Sequence, residues 1–320
     1  MLPNNGPKNN TDYLDIFDDF VISYLKFNIK RYGAEYERIE PIILPCIKQA
    51  KEIISKLENP LNDIEERTRL CQYALANIKM ILSQNQKMND VKDKIRSYGC
   101  VLIVGAGVSY ASNAPLAARL VNLLNFCKAT NFMDLSNDSN KCLCFKHHFK
   151  VLDEKFELNK SHMAIAKSFP KYTREIISLN WDSLLERALR SYKRKFNKIN
   201  CEEDTPTINN LWKLHGDVEN ITEDNLPGHG GWVFPENGGY VFKSFVSFLK
   251  ASFLSKEPYL ILIAGYSRGE INIEKKIIEP IYDNYRRELI EISMKPEQLK
   301  NESIIVGPSD YVLPRILPQQ

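Results

Sequence analysis

Apolar residues recur at spacings of three and four through the first hundred positions, then give way to short uninterrupted apolar runs. Leu14, Phe17, Val21 and Leu25 form a helical stripe over 12–32, with Gly33 as its stop. A second helix is predicted over 44–57, closed by Asn59 and Pro60. A third covers 62–83, where Ile64, Leu70, Ala74, Ile78 and Ile81 share a face. At Gly99 the period changes, and Cys100-Val-Leu-Ile-Val104 reads as a strand buried on both faces.

Further strand-like runs lie at 175–179, 211–214, 259–264 and 303–306. Helical periodicity separates them at 182–194, 243–254 and 273–292. Strands alternating with helices predict an α/β fold, a Rossmann-like doubly wound parallel sheet. The expected organisation is a flexible arm over 1–11, a helical N-terminal region over 12–96, an α/β domain over 97–312 and a tail over 313–320. Within the α/β domain, 126–170 forms a helical insertion.

Composition narrows the class. The 320 residues are 43% hydrophobic and 26% charged, enough apolar material for a packed core. A net charge of +3 gives no general basic field, so nucleic acid is not expected as a partner. No run approaches the roughly 20 apolar residues that cross a bilayer, and the polar start lacks a secretion signal, so a cytoplasmic protein away from membranes is expected. Seven Cys without such a signal point to reduced thiols rather than a disulfide framework.

The candidate chemistry sits at strand ends. Gly105-Ala106-Gly107-Val108-Ser109 follows the first strand, where glycines permit a sharp turn and a following helix offers N–H groups to a phosphate. Tyr110 stands where a dehydrogenase fingerprint has its third glycine, and 121–126 reads as helix rather than a second strand, which disfavours hydride transfer. Asn180-Trp181-Asp182 ends the second strand, although Asp182 or Ser183 also suits a helix cap, with Glu186 in the first turn. His215-Gly216-Asp217 ends another, and histidine is the side chain readiest for proton transfer near neutral pH. Gly265-Tyr266-Ser267 closes a fourth.

In this order and spacing, the four motifs resemble the bacterial SIR2-like domain, the branch of the sirtuin superfamily found in NAD-consuming anti-phage effectors. The resemblance spans about 97–307 and leaves the N-terminal helices outside. It implies that Gly105, Ala106, Gly107 and Ser109 hold dinucleotide phosphates. It implies that Asn180 and Asp182 stand near the nicotinamide ribose, that His215 is the catalytic histidine, and that Gly265, Tyr266 and Ser267 form the turn against the adenosine half. The implied activity is an NAD+ glycohydrolase with NAD as substrate, releasing nicotinamide and ADP-ribose. Implied partners are a homo-oligomer and a separately encoded (HerA-like) ATPase or phage sensor. The rival readings are a non-catalytic NAD or ADP-ribose sensor and, further off, a protein deacylase or ADP-ribosyltransferase.

The sequence also departs from that pattern. No Cys follows Cys201, so the paired cysteines of a deacylase zinc ribbon are missing. Pro115 is kept, but Arg119 lies further along than the deacylase Asp-Phe-Arg triplet would place it, and Glu270 replaces the usual Asp. Cys142-x-Cys144, with Cys127, His147 and His148 nearby, lacks the spacing of structural zinc, and no metal is expected. The basic run 187–198 reads as a solvated helix face. The loop 228–234, with His229 and Trp232, is either an active-site lid or a surface turn.

Overall fold

The structure is a computed structural model and describes residues 25, 36–56, 62–112, 114, 120–130, 134–135, 138–200, 204–215, 247, 260–266, 274–279, 289–293 and 301–320. The arm over 1–11, the loop 228–234, Pro115, Arg119, Cys201, Gly216, Asp217, Ser267 and Glu270 lie outside the described residues, as do the helices expected over 12–32 and 243–254 apart from Leu25 and position 247. The chain separates into two compact units, Met1–Asn85 and Gln86–Gln320.

In the first unit, α1 (Tyr36–Ile54) packs on α2 (Asp63–Leu82). Ile42, Ile43, Cys46, Ile47 and Ala50 are buried on one helix, and Leu70, Ala74, Ile78 and Ile81 on the other. Asn62 caps α2 by accepting from the Glu65 N–H at 2.9 Å, satisfying an otherwise orphaned donor. The first helix starts eight residues before its expected onset at 44, running through Pro41 and Pro45. Burial of its apolar stripe outweighs the backbone hydrogen bonds that the prolines forgo.

α3 (Asn85–Tyr98) begins at the last residue of the first unit and runs through the start of the second, where seven parallel strands are found among the described residues. These are β1 (Cys100–Val104), β2 (Thr173–Ser178), β3 (Asn197–Ile199), β4 (Asn210–Lys213), β5 (Leu260–Ala264), β6 (Leu289–Ser293) and β7 (Ile304–Val306). Their order is β3-β4-β2-β1-β5-β6-β7. Every position of β1 and β5 is buried, as a central parallel strand covered on both faces requires. The chain works outward from β1 through β2 to the edge strand β3, steps back to β4 and then returns as β5 on the other side of β1. That reversal puts a topological switch point at the carboxyl end of β1, where open α/β sheets hold their ligands.

Two strands escape the sequence pattern. β6 occupies the end of the segment expected to be helical over 273–292, of which Glu274–Ile278 forms a short π-helix. Leu289-Ile-Glu-Ile-Ser293 is too short for its period to decide, and pairing with β5 and β7 makes it strand. β3 is a polar edge strand, Asn-Lys-Ile, with no apolar run to reveal it.

Among the described residues the further α-helices are α4 (Val121–Phe126), α5 (Ser139–Asp153), α6 (Lys160–Ser168), α7 (Leu184–Ser191) and α8 (Ser309–Ile316). α6 packs on both α7 and α8, and Ser161 donates from its N–H and its hydroxyl to Asp310 Oδ1 at 2.9 and 2.6 Å. Leu313, Ile316 and Leu317 of the terminal segment are buried. The basic run does not form one solvated helix. It leaves the helix at Ser191, and Arg194 donates to the carbonyls of Ala166 and Lys167 and to Gln320 Oε1. No helix among the described residues is long and apolar enough to cross a membrane.

Candidate functional site

The strand register gathers the motifs on one rim. Val104 pairs with both Ser178 and Ala264, and Ser178 pairs with Lys213. Asn180 and His215 therefore each stand two residues beyond a paired position, on neighbouring strands β2 and β4. The Leu214 N–H donates to Ser178 O at 3.1 Å and extends that pairing past the strand end.

The glycine turns after β1 and β5 meet directly. Gly105 N–H donates to Ala264 O and Gly107 N–H to Gly265 O, both at 2.9 Å. A Cβ on Gly105 would lie 2.6 Å from Gly265 O, and one on Gly107 would lie 2.7 Å from Gly265 Cα. Gly265 itself has φ +67°, a conformation that L side chains resist. These glycines are demanded first by the contact between two turns. Ala106 and Tyr266 are half-buried beside them, and Tyr266 packs on the core under the sheet.

Ser109 is the centre of a buried polar network. The Asn180 side-chain amide donates to Ser109 Oγ at 3.1 Å, tying the end of β2 to the turn after β1. His162 Nε2 lies 3.2 Å from the same oxygen. Asn159 begins α6 with a capping box: its Oδ1 accepts from the His162 N–H, and its own N–H donates to His162 Nδ1 at 3.4 Å. Nδ1 is thus an acceptor, Nε2 carries the hydrogen, and Ser109 Oγ accepts from both His162 and Asn180. Burial, reinforced by the nearby Arg187 charge, pushes His162 down to about 3, which keeps it neutral. Asn159 Nδ2 also donates to Val108 O at 2.7 Å, fixing the turn from below.

Asn180 is 5% exposed, and its Oδ1 has no hydrogen-bond partner among the described residues. A buried acceptor left open in this way costs about 1–3 kcal/mol unless a ligand hydroxyl or a water supplies the donor. The rim thus fits a hydroxyl-bearing ligand. Ser112 Oγ, buried near the same turn, is likewise without a described partner.

Asp182 faces two duties. Its Oδ1 accepts from the N–H of Leu184, the first residue of α7, at 3.2 Å, while Lys213 Nζ donates to its carbonyl at 2.7 Å. Ser183 bonds instead to Asp153, through its N–H at 2.9 Å and its hydroxyl at 2.5 Å. Burial raises the Asp153 carboxyl above its ordinary range, with the Ser183 bonds opposing that rise. Glu186, expected only as a first-turn acid, is fully buried and lies 3.3 Å from Lys213 Nζ. Trp181, between the two polar rim residues, stacks edge-on with Phe145 and Phe149 of α5 at 5.6 and 6.1 Å.

The sequence reading missed His162 and Lys213, and took Glu186 only as a first-turn acid. Asn159-x-x-His162 at a helix start was a visible signal for the first, and a lysine inside an apolar strand two residues before His215 was one for the second. Away from the rim, Cys127, Cys144 and His148, set aside in the sequence for lacking the spacing of structural zinc, bring their ligating atoms within 4.8 Å of one another.

Residues 174–302 match the SIR2-like domain family, a span that includes Asn180, Asp182 and His215 and excludes the turn at 105–109. Similar solved structures include one of a Sir2 enzyme, at 16% identity over 72% of this chain and 95% of that one, with a TM-score of 0.44. A Sir2 homologue–NAD complex is 17% identical over 72% of this chain and 92% of its own, at a TM-score of 0.44. A Sir2 homologue mutant–ADP ribose complex is 18% identical over 71% and 94%, at 0.45. No curated protein matches the chain.

Proposed function

We propose that this chain is an NAD+ glycohydrolase, cleaving NAD+ and water to nicotinamide, ADP-ribose and a proton. The observation that carries the reading is the open Asn180 Oδ1 beside Ser109, at a switch point within reach of the strand end that bears His215. The SIR2-like match over 174–302 supports the same choice of ligand.

In the proposed reaction the bond between C1′ of the ribose and the nicotinamide nitrogen breaks, and its electron pair leaves with nicotinamide. The sugar passes through an oxocarbenium-like state. Asn180 Oδ1 accepts a hydrogen from the attacking water or from a ribose hydroxyl and so fixes its position. With two donors already on its oxygen, Ser109 turns its own hydroxyl hydrogen to the ligand. His215 takes the proton released as the water oxygen bonds to C1′, a contribution typically of about 10²- to 10⁴-fold. Asp182 supplies negative charge near the developing cation. Gly105, Ala106, Gly107, Gly265 and Tyr266 would line the dinucleotide's remaining length.

The biological reading is depletion of NAD in anti-phage defence, with activity released by self-assembly or by a separately encoded partner. The resemblance to such effectors supports it, as does the danger of an unrestrained NAD hydrolase to its own cell. The test is nicotinamide and ADP-ribose release by the full chain, alone and after co-expression with genetically neighbouring proteins. Release that disappears in Asn180→Ala and His215→Ala is the expected result. NAD binding without release in every condition overturns the enzyme in favour of a sensor, and NAD-dependent removal of acyl groups from peptides overturns it in favour of a deacylase.

A further inference from the structure

Outside the rim, the chemistry that stands out is a pair of thiols in the helical layer. Cys127 follows α4 directly and is 4% exposed; Cys144 lies on α5 and is half-buried. The Cys144 thiol donates to Cys127 Sγ across 2.8 Å. His148, one turn along α5, donates from Nδ1 to the Cys144 carbonyl at 2.8 Å and stands 3.9 Å from Cys144 Sγ. The neighbouring Cys142 is fully buried.

We propose that Cys127 and Cys144 are an oxidisable dithiol, which a two-electron oxidant of the hydroperoxide class closes to a reversible disulfide. The separation decides against the same atoms serving first as metal ligands. Two sulfurs on one tetrahedral ion at about 2.3 Å stand about 3.8 Å apart, whereas a disulfide needs about 2.05 Å. From 2.8 Å the shorter move is to the bond. The two thiols also differ as an attacking and a resolving sulfur should. Cys144 is reachable from solvent. Burial and the adjoining Cys144 push the Cys127 thiol up to about 12, so it waits as a thiol.

The balance is simple. Cys144 sulfur attacks one oxygen of hydrogen peroxide, the O–O bond breaks, and Cys144 sulfenic acid and water result. Cys127 sulfur then attacks the Cys144 sulfur, the S–OH bond breaks, and the departing hydroxide takes the Cys127 proton as a second water. Two thiols are oxidised and one peroxide is reduced. The bond would staple the end of α4 to α5, whose Phe145 and Phe149 hold Trp181 between Asn180 and Asp182. The inference does not depend on the reaction proposed for the rim.

The test is peptide mapping by mass spectrometry of the full chain, reduced and then treated with one equivalent of hydrogen peroxide. A cross-link between the peptides carrying Cys127 and Cys144, lighter by two hydrogens and reversed by dithiothreitol, is expected. In Cys127→Ser the reaction should stop at Cys144, captured by dimedone as the sulfenic acid. Wild-type protein alone keeps the test valid if that variant does not fold. Cysteines that stay reduced, a cross-link through Cys142 instead, or thiols released for reaction only when a chelator removes bound zinc would each overturn the proposal.

Discussion

Lys213 Nζ lies 3.3 Å from Glu186 Oε1, with both side chains fully buried, and the same ammonium donates to the Asp182 carbonyl at 2.7 Å. One lysine on β4 thereby joins the helix after the second motif to the strand that carries His215. Removing one member of a buried pair strands the other charge. Lys213→Met should therefore lower unfolding stability by about 3–5 kcal/mol. The double variant Lys213→Met with Glu186→Leu should recover most of that loss. Urea denaturation of the two variants beside wild type measures the difference, and equal losses would mean that the pair is not coupled.

Asn180 touches two partners of different kinds, so its substitutions should separate them. Asn180→Ala loses both the donor to Ser109 and the open acceptor, and nicotinamide release should fall at least about 10²-fold. Ser109→Ala loses one hydroxyl at the ligand and should fall less, about tenfold. Steady-state rates with NAD settle the ranking; a larger effect from Ser109 would relocate the centre of the site.

His162 gives the fold a pH dependence. Its folded pKa, about 3, lies below an unfolded value of about 6.5, so between these the unfolded chain binds a proton that the folded chain refuses. This histidine's share of stability is complete above about pH 6.5 and is lost as pH falls towards 3, at about 1.4 kcal/mol per pH unit. Asp153, and Glu175 of β2, whose carboxylate accepts from Trp212 Nε1 at 2.9 Å, are both raised by burial and work the other way at the acid end. Comparison with His162→Gln isolates the histidine, because the variant's stability between pH 4 and 6 should fall less steeply by about one proton.

Gly265→Ala tests the contact between the two turns. The new Cβ meets the backbone of Gly107 and Val108 from a residue at φ +67°. The left-handed conformation alone costs about 1–2 kcal/mol, and the contact adds to it. The expected thermal midpoint is lower by several degrees, with weakened NAD binding by calorimetry. An unchanged midpoint would show that the turns can part.

Much of this was legible along the chain. Cys100-Val-Leu-Ile-Val104 and Leu260-Ile-Leu-Ile-Ala264 are apolar without interruption because both faces are covered, and such runs mark central parallel strands whatever surrounds them. Asn180, Asp182 and His215 were visible because each follows a strand end, where a parallel sheet presents its ligand groups. β3 and β6 were not visible, since a polar edge strand and a five-residue run take their conformation from neighbouring strands.

What the sequence by itself determined is therefore local: the period of each long element, the turns that need glycine, and the order of the motifs. The tertiary structure alone decided which distant groups meet. His162 reaches Ser109 across 53 positions and Glu186 meets Lys213 from another element, while Cys127 and Cys144 close a gap of 17. None of these separations repeats with a helix or strand period, so no pattern along the chain records them. Packing brings each pair together because a buried donor, charge or thiol is costly without its partner.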